Sequence, residues 1–369
     1  MGRGEIAERI TCAESGPLGT NEQPLVSVVI VNFNGGPLLG EAVRSVLSSA
    51  VPLEVYVVDN GSTDASLSSL RHFAAADGRT QIIENQTNLG FARAANVALE
   101  QAQSEYILLL NPDAVIQADT LARMIETFAA YPDAGMAGCL LRNPDGTEQA
   151  GCRRSVPTPW RTVVRVFHLD QLFPNHPRFR NFVLAQQPLP EAPVFLEAIS
   201  GAFMLVRRKA LEDVGHLDDK YFLHCEDLDW CMRFRQAGWK ILFVPNVEVV
   251  HYQGTCSKDR SLFVSWHKHK GMIRFYRKFF RHQYPWPLMP LVVTAVWVRF
   301  ALLAGMALFH RPGNGGPADA NHAETVMRPA AEDKNIAPPV IGPGDDSTEV
   351  DPLLAIYSTQ AKQRHSRLS

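Results

Sequence analysis

Three groups of side chains in this sequence carry chemistry by their type and spacing. Asp59 follows the apolar run Val55-Tyr56-Val57-Val58 and opens the segment Asp59-Asn60-Gly61-Ser62-Thr63-Asp64. Ser62, Thr63 or Asp64 can cap a following helix, so a carboxylate at Asp59 is not needed for that. It can accept a hydrogen bond from the imide N–H of a uracil or thymine ring. Asn111-Pro112-Asp113 follows the run Tyr106-Ile107-Leu108-Leu109-Leu110. Asp113 can hold a hard divalent cation, Mg2+ or Mn2+, against a diphosphate, because such ions prefer carboxylate and phosphate oxygens. The same residues also favour a plain turn. Glu226-Asp227-Leu228-Asp229 gathers carboxylates at the start of a helical pattern. They can take a proton from an attacking hydroxyl, and they also complement the positive end of a helix dipole.

The elements that must position these groups are legible from the hydrophobic pattern. Leu25 to Val31 is a continuous, mostly β-branched run, as in a strand buried on both faces. The turn Asn34-Gly35-Gly36-Pro37 follows, then a helix with Leu39, Val43, Val46 and Leu47 on one stripe. Strands are expected at 55–58, 81–84 and 106–110, and helices at 64–73, 90–101 and 119–130. This alternation implies βαβ units and a parallel sheet. Asn32, Asp59 and Asn111 to Asp113 then share the carboxyl edge of the sheet, where open α/β sheets bind ligands. Gly90 opens a helix rich in small residues, and Arg93 lies one turn in. Such a helix start favours an anion such as a diphosphate. Residues 153–195 read as a long surface excursion rich in Pro, Arg and aromatics. A strand is expected at 203–206 and another at 247–250, with a helix at 226–237 stopped by Gly238. Gly201 and Ala202 are small enough to let a sugar approach. Trp230 is a candidate stacking residue, although an aromatic on a helix is more often core.

With 46% hydrophobic and 20% charged residues the chain is an ordinary globular protein, and a net charge of −2 argues against a dedicated nucleic-acid binder. The cysteines at 12, 139, 152, 225, 231 and 256 lack zinc-knuckle or redox spacing. Residues 1–24 carry no apolar segment of the secretory kind, so free thiols and a cytosolic catalytic domain are expected.

Six blocks, in order, resemble inverting family 2 glycosyltransferases of the GT-A fold. They are SVVIVNFNG at 27–35, VDNGSTD at 58–64, ENQTNLGFARAANVAL at 84–99, LLLNPDA at 108–114, SGAFMLVRR at 200–208 with FLHCEDLDWCMRFRQAGW at 222–239, and HYQG at 251–254. Asn111 stands where the metal-binding Asp-x-Asp element has its first Asp. That replacement, with the Glu-Asp-x-Asp-x-Cys-x-Arg pattern, is similar to the rhamnosyltransferases of bacterial cell-wall and O-antigen assembly. The resemblance implies a mostly parallel, Rossmann-like mixed sheet flanked by helices. It implies transfer of a sugar, rhamnose from dTDP-rhamnose among the candidates, from a dTDP- or UDP-sugar to a saccharide or lipid-linked acceptor. Asn32, Asn34, Asp59, Asn88, Gly90, Arg93 and Asn111 would bind the donor. Asp113 and His251 would hold the metal, and Gly201, Ala202, Asp229 and Trp230 would face the acceptor. Asp227 would be the base, with Glu226 second. Asp229 is expected to orient neighbours such as Arg233. The Gln-x-x-Arg-Trp pattern of processive synthases is missing, since Ala-Gly-Trp follows Gln236, so non-processive transfer is expected.

Two other functions are weighed. A nucleotidyltransferase usually has a Gly-rich loop with a basic residue after its first strand, and Asn32-Phe33-Asn34-Gly35-Gly36 has none. A non-catalytic, membrane-bound sugar-binding protein on the same fold would be signalled by loss of Asp113 or Asp227, and both are present.

Residues 258–282 carry eight Lys or Arg against one acid, Asp259, interleaved with Phe and Trp. A basic, aromatic amphipathic stretch reads as a membrane-surface helix. Residues 288–309 are apolar and long enough for a bilayer. Arg299 and the prolines at 285, 287 and 290 favour an interfacial or re-entrant anchor over a span. The expected organisation is a disordered tail at 1–24, the GT-A domain at 25–257, membrane-associating helices at 258–311 and a disordered tail at 312–369. The expected location is the cytoplasmic face of the inner or plasma membrane.

Overall fold

The first strand, β1 (Val26–Asn32), is buried along its whole length, as a Val/Ile run without a polar face requires. A computed structural model of the chain describes residues 23–74, 77–173, 176–179, 182–254 and 261–309. The expected tails, apart from residues 23 and 24, and the basic residues Lys258 and Arg260 with Asp259 lie outside that set. Residues up to Leu303 belong to one unit, and the end of the last helix falls to a second.

After β1 come α1 (Gly36–Leu47), β2 (Leu53–Asp59), α2 (Ser66–Ala74), β3 (Thr80–Glu84), α3 (Phe91–Leu99) and β4 (Tyr106–Leu110). This is the expected strand–helix alternation, and β3, β2, β1 and β4 are parallel neighbours. The chain continues through β5 (Ala114–Val115), α4 (Thr120–Ala129), β6 (Ala134–Arg142), β7 (Arg153–Arg154), α5 (Pro159–Val166) and α6 (Leu169–Leu172). Then follow β8 (Val194–Leu196), β9 (Ala198–Ile199), β10 (Phe203–Arg207), α7 (Arg208–Val214), α8 (Glu226–Gln236), β11 (Lys240–His251), α9 (Ser261–Phe279) and α10 (Leu288–Phe309). The main sheet runs β3-β2-β1-β4-β10-β6-β11-β5, with β8 also on β11. β10 is antiparallel to both β4 and β6, whereas β6 and β11 are parallel. The sheet is therefore mixed and mostly parallel, with β10 as the reversed strand in its middle.

Alternate side chains of β1 enter two cores. Val28 and Ile30 pack with α1 and α4 through Leu39, Val43, Met124 and Phe128. Val29 and Val31 face α3, α8 and α9 through Ala95, Leu228, Trp230 and Phe275. Helices thus cover both faces, as a parallel sheet demands.

Three features differ from the sequence expectation. β6 is a nine-residue, almost fully buried strand that the pattern AGMAGCLLR does not announce. Its glycines are needed for packing: a Cβ on Gly138 would lie 2.8 Å from Ile199 Cδ1. β11 begins at Lys240, well before the expected Val247, because Pro245 and Asn246 sit where its pairing with β6 shifts register. The excursion at 153–195 folds in part, into β7, α5, α6 and β8. Thr158 caps α5 by accepting the Arg161 N–H at 3.1 Å.

Gly90 tests the packing of this fold at one atom. It has φ +85°, and a Cβ there would sit 2.6 Å from the Phe222 carbonyl oxygen. Gly90→Ala is expected to lower unfolding free energy by about 1–3 kcal/mol or more. Chemical denaturation checks this, and an unchanged midpoint would contradict it.

Candidate functional site

The strand order explains why distant polar residues meet. β1, β2 and β4 run parallel, so Asn32, Asp59 and Asn111 emerge at one edge. Asn32 and Asp59 are register partners. Because β10 runs the other way, its N-terminal lead, Gly201-Ala202, reaches the same edge. The Asn111 N–H donates to the Ala202 carbonyl at 3.0 Å. β5 pairs antiparallel with the end of β11, setting His251 opposite Ala114, next to Asp113.

The first corner is Asn32 with Asp59, both buried. Asn32 Nδ2 donates to Asp59 Oδ1 at 2.8 Å, and the Ser62 N–H donates to Oδ2 at 3.0 Å. Asp59 is held rigidly at the strand end by its neighbours. Asn34, at φ +54°, uses its side-chain oxygen on the Thr63 N–H at 2.8 Å. Asn88 accepts from Asn60 Nδ2 and from the Gly90 N–H, both at 2.9 Å. These two side chains build the loops beside the strand ends, where direct donor contact was expected. Asp64, not Ser62 or Thr63, caps α2, accepting the Ser66 N–H at 3.1 Å. Gly90 opens α3 with no side-chain cap, and Arg93 is exposed on its first turn.

The second corner is Asn111, Asp113 and His251. His251 Nε2 lies 3.1 Å from both Asp113 Oδ1 and Asn111 Nδ2. Its other nitrogen, Nδ1, is 2.7 Å from Gln149 Oε1. Gln149 Nε2 is turned toward two oxygens, Asn143 Oδ1 at 3.2 Å and the His251 carbonyl at 3.3 Å. Its oxygen therefore faces Nδ1, which must donate. That leaves Nε2 as the acceptor for Asn111 Nδ2, with an Asp113 carboxylate oxygen at the same distance beside it. The donor chemistry fits a divalent metal. Among the described residues no group of three or more His, Cys, Asp or Glu is gathered. The protein would therefore supply two ligands, with Gln149 fixing the imidazole orientation. Sequence reasoning missed Gln149, and no local pattern marks it.

The third corner is Glu226-Asp227 at the start of α8. Asp227 is ion-paired with Arg154 of β7. Its Oδ2 also accepts the Gly201 N–H at 3.3 Å, and its Oδ1 the Leu228 N–H at 2.8 Å. A Cβ on Gly201 would lie 3.2 Å from Asp227 Cβ, so the small residue does serve close approach, of Asp227 itself. Ala202 is buried behind it. Glu226 is buried, and burial together with the neighbouring Asp227 charge pushes its carboxyl up to about 8. Burial thus favours the protonated form of Glu226, while Asp227 beside it lies against the Arg154 guanidinium. Arg154 was also missed, because its partner lies 73 residues away. The Arg153-Arg154 doublet is the one signal available.

Two residues expected at the acceptor are elsewhere. Trp230 is wholly buried, packs against Phe234 and donates Nε1–H to the Gly215 carbonyl at 2.9 Å. It is a core residue, because the face of α8 that carries it turns to the sheet. Asp229 is also wholly buried. It pairs with Arg233 at 2.8 Å, as expected, and with Lys278 of α9 at 2.6 Å.

The sheet with its polar edge is the scaffold of a sugar-transferring enzyme. The chain belongs to glycosyl transferase family 2, whose profile matches residues 27–215, and it is a glycosyltransferase. It is 28% identical over 242 residues to the N-acetylglucosaminyl-diphospho-decaprenol L-rhamnosyltransferase of Mycobacterium tuberculosis, covering 62% of this chain and 76% of that one. It is 24% identical over 241 residues to the rhamnosyltransferase WbbL of Escherichia coli, covering 62% and 83%. Among solved structures, the mannosyltransferase PcManGT from Pyrobaculum calidifontis, in complex with GDP-Man and Mn2+, is similar at 20% identity and TM-score 0.49, covering 84% of this chain and 89% of that one.

The raised Glu226 carboxyl has a consequence for stability. Its folded value of about 8 exceeds the ordinary 4.5, so the native state binds the extra proton between these values. Stability from this group is present below pH 4.5 and lost as pH rises toward 8, with a slope of at most about 1.4 kcal/mol per pH unit. Denaturant titrations of the wild type and Glu226→Gln should show this fall in the wild type alone. Parallel curves would contradict it.

Proposed function

We propose that this glycosyltransferase is a non-processive, inverting enzyme that transfers a sugar, rhamnose first among candidates, from a dTDP- or UDP-sugar to a lipid-linked saccharide. The observation that carries this reading is the meeting of Asp113 and His251 with Asp227 at one sheet edge, on either side of the Gly201-Ala202 lead into β10. The rhamnosyl names of the two relatives support the sugar, and the diphospho-decaprenol name supports a lipid-linked acceptor.

In this reading Asp59 accepts the imide N–H of the pyrimidine. Gly90 and Arg93 face the diphosphate, at a helix start suited to anions. Asp113 and His251 hold Mg2+ or Mn2+. The ion, when bound, offsets the negative charge that develops on the leaving diphosphate. Asp227 takes the proton from the acceptor hydroxyl. Arg154 and the Gly201 N–H hold its carboxylate in place for that step. Glu226, protonated near neutrality, is the lesser candidate for the base.

The apolar stretch Leu288–Met306 is long enough to cross a membrane, with Met289 buried against the domain and Leu291, Val298 and Leu302 exposed. With the basic face of α9 it supports attachment at the cytoplasmic face of the membrane, within cell-envelope polysaccharide synthesis.

The test is metal-dependent transfer with purified protein and a panel of nucleotide sugars. Excess chelator should abolish transfer, and Mn2+ or Mg2+ should restore it. Asp113→Ala should remain folded and inactive. Gln149→Leu, which frees the His251 ring, should raise the metal concentration needed by roughly 10–100-fold. Full transfer in chelator would contradict the metal reading. Pyrimidine recognition is checked by calorimetry: Asp59→Ala should weaken dTDP or UDP binding, and equal wild-type affinity for GDP would contradict it.

A further inference from the structure

A cleft of about 750 Å³ lies between residues 220–222, α9 and α10, apart from the three corners of the site. Its charged wall includes Lys220, Lys270, Arg274, Arg277 and Lys278. Two of these cations are already balanced. Arg274 and Lys278 bind Asp218 at 2.6 and 2.7 Å, and Lys278 also binds the buried Asp229 at 2.6 Å. Asp218 and Asp229, the latter shared with Arg233, thus engage both bases and pin α9 to the domain. Among the described residues, no side-chain partner is found for Lys220, Lys270 or Arg277, which are exposed. The cleft wall therefore presents three cations with no ion-pair partner among the described residues.

The other walls differ in character. One is Trp297 of α10, a helix whose Leu291, Val298 and Leu302 are exposed and apolar. The opposite wall is Phe222, whose ring stacks on His267 with centroids 4.3 Å apart. The Phe222 carbonyl accepts the Phe91 N–H at 2.8 Å, at the helix start read above as the diphosphate site of the donor. Close approach fixes this wall from the α9 side too. A Cβ on Gly271 would lie 2.8 Å from the His224 carbonyl oxygen. The segment from Lys220 to Asp227 is thus clamped between α3 and α9, with the cleft at one end and the candidate base at the other.

We propose that this cleft binds phosphate groups carried on an apolar chain. The three free cations take the phosphate oxygens, as Lys and Arg do elsewhere, and the apolar chain runs along the exposed face of α10. Two sources share this chemistry: the diphosphate of a lipid-linked acceptor and the headgroup of an anionic phospholipid. The first rests on the glycosyltransferase reading above, and would lead the acceptor sugar toward Asp227.

The experiment uses the full chain and phosphatidylcholine vesicles. One set carries a polyprenyl diphosphate, a second carries phosphatidylglycerol at matched charge, and a third carries neither. Binding is read by co-sedimentation for the wild type and for Lys220→Gln/Lys270→Gln/Arg277→Gln. Arg281→Gln, a basic residue just past α9 and outside the cleft, controls for general charge. Calorimetry with dTDP checks that each variant is folded and keeps its donor site. The triple variant should bind charged vesicles roughly tenfold more weakly or worse, with Arg281→Gln near wild type. Loss confined to the polyprenyl diphosphate identifies the acceptor as the source, and equal loss on phosphatidylglycerol identifies the bilayer headgroup. Unchanged binding to both, or an equal loss in Arg281→Gln, overturns the proposal. Vesicle binding requires no turnover. Failure of the glycosyltransferase reading would appear separately, as a wild type that binds charged vesicles but no nucleotide.

Discussion

The reversal of β10 between β4 and β6 is the constraint on which the site depends. In a wholly parallel sheet, the start of the strand beside β4 would lie at the edge away from Asn111 and Asp113. Running antiparallel, with Phe203 opposite Leu110, β10 brings its own beginning to that edge. Gly201 and Ala202 then stand between the Asp113–His251 pair and the head of α8. Backbone hydrogen bonds tie both sides to this lead, from Asn111 to Ala202 and from Gly201 to Asp227. Strand topology therefore sets the spacing between the two halves of the site.

Electrostatics follow from that placement. Asp113 and Asp227 are both carboxylates near one edge, yet their surroundings differ. Asp113 faces an imidazole whose far nitrogen is committed to Gln149. Asp227 faces a guanidinium, with Glu226 beside it, whose carboxyl burial pushes up to about 8. The first arrangement suits a cation shared with a ligand, and the second suits a fixed negative charge that meets a hydroxyl. Asp229, two residues on, is withdrawn into contacts with Arg233 and Lys278. That withdrawal links α8 to α9, so the basic helix is held to the domain by charge as well as by Phe275 and Tyr276 in the core.

Much of this was legible in the sequence for a simple reason. β1 and β4 are buried on both faces and so read as uninterrupted apolar runs. The polar residue that ends each run then marks the ligand edge. β6 was not legible, because Gly135 and Gly138 answer to neighbours across the fold, Ala210, Trp239 and Ile199, and a glycine in a strand reads as a break. Gln149 and Arg154 escaped for a related reason. Their partners are 102 and 73 residues away, and no periodicity encodes such a contact. Trp230 shows the opposite error. An aromatic near a helix start suggested sugar stacking, whereas Trp230 lies in the core against Phe234 with its indole N–H on the Gly215 carbonyl.

In the proposed reaction the two sides of the β10 lead divide the labour, with the diphosphate on one and the acceptor hydroxyl on the other. The most direct measurement is single-turnover transfer by Asp227→Asn, with donor affinity determined on the same protein. The substitution keeps shape and removes the basic oxygen, and general-base catalysis contributes typically 10^2 to 10^4 in rate. Transfer should fall by about that factor, while nucleotide-sugar binding stays near wild type. Near-normal transfer by Asp227→Asn would contradict the account, most plainly if Glu226→Gln were the variant that lost it.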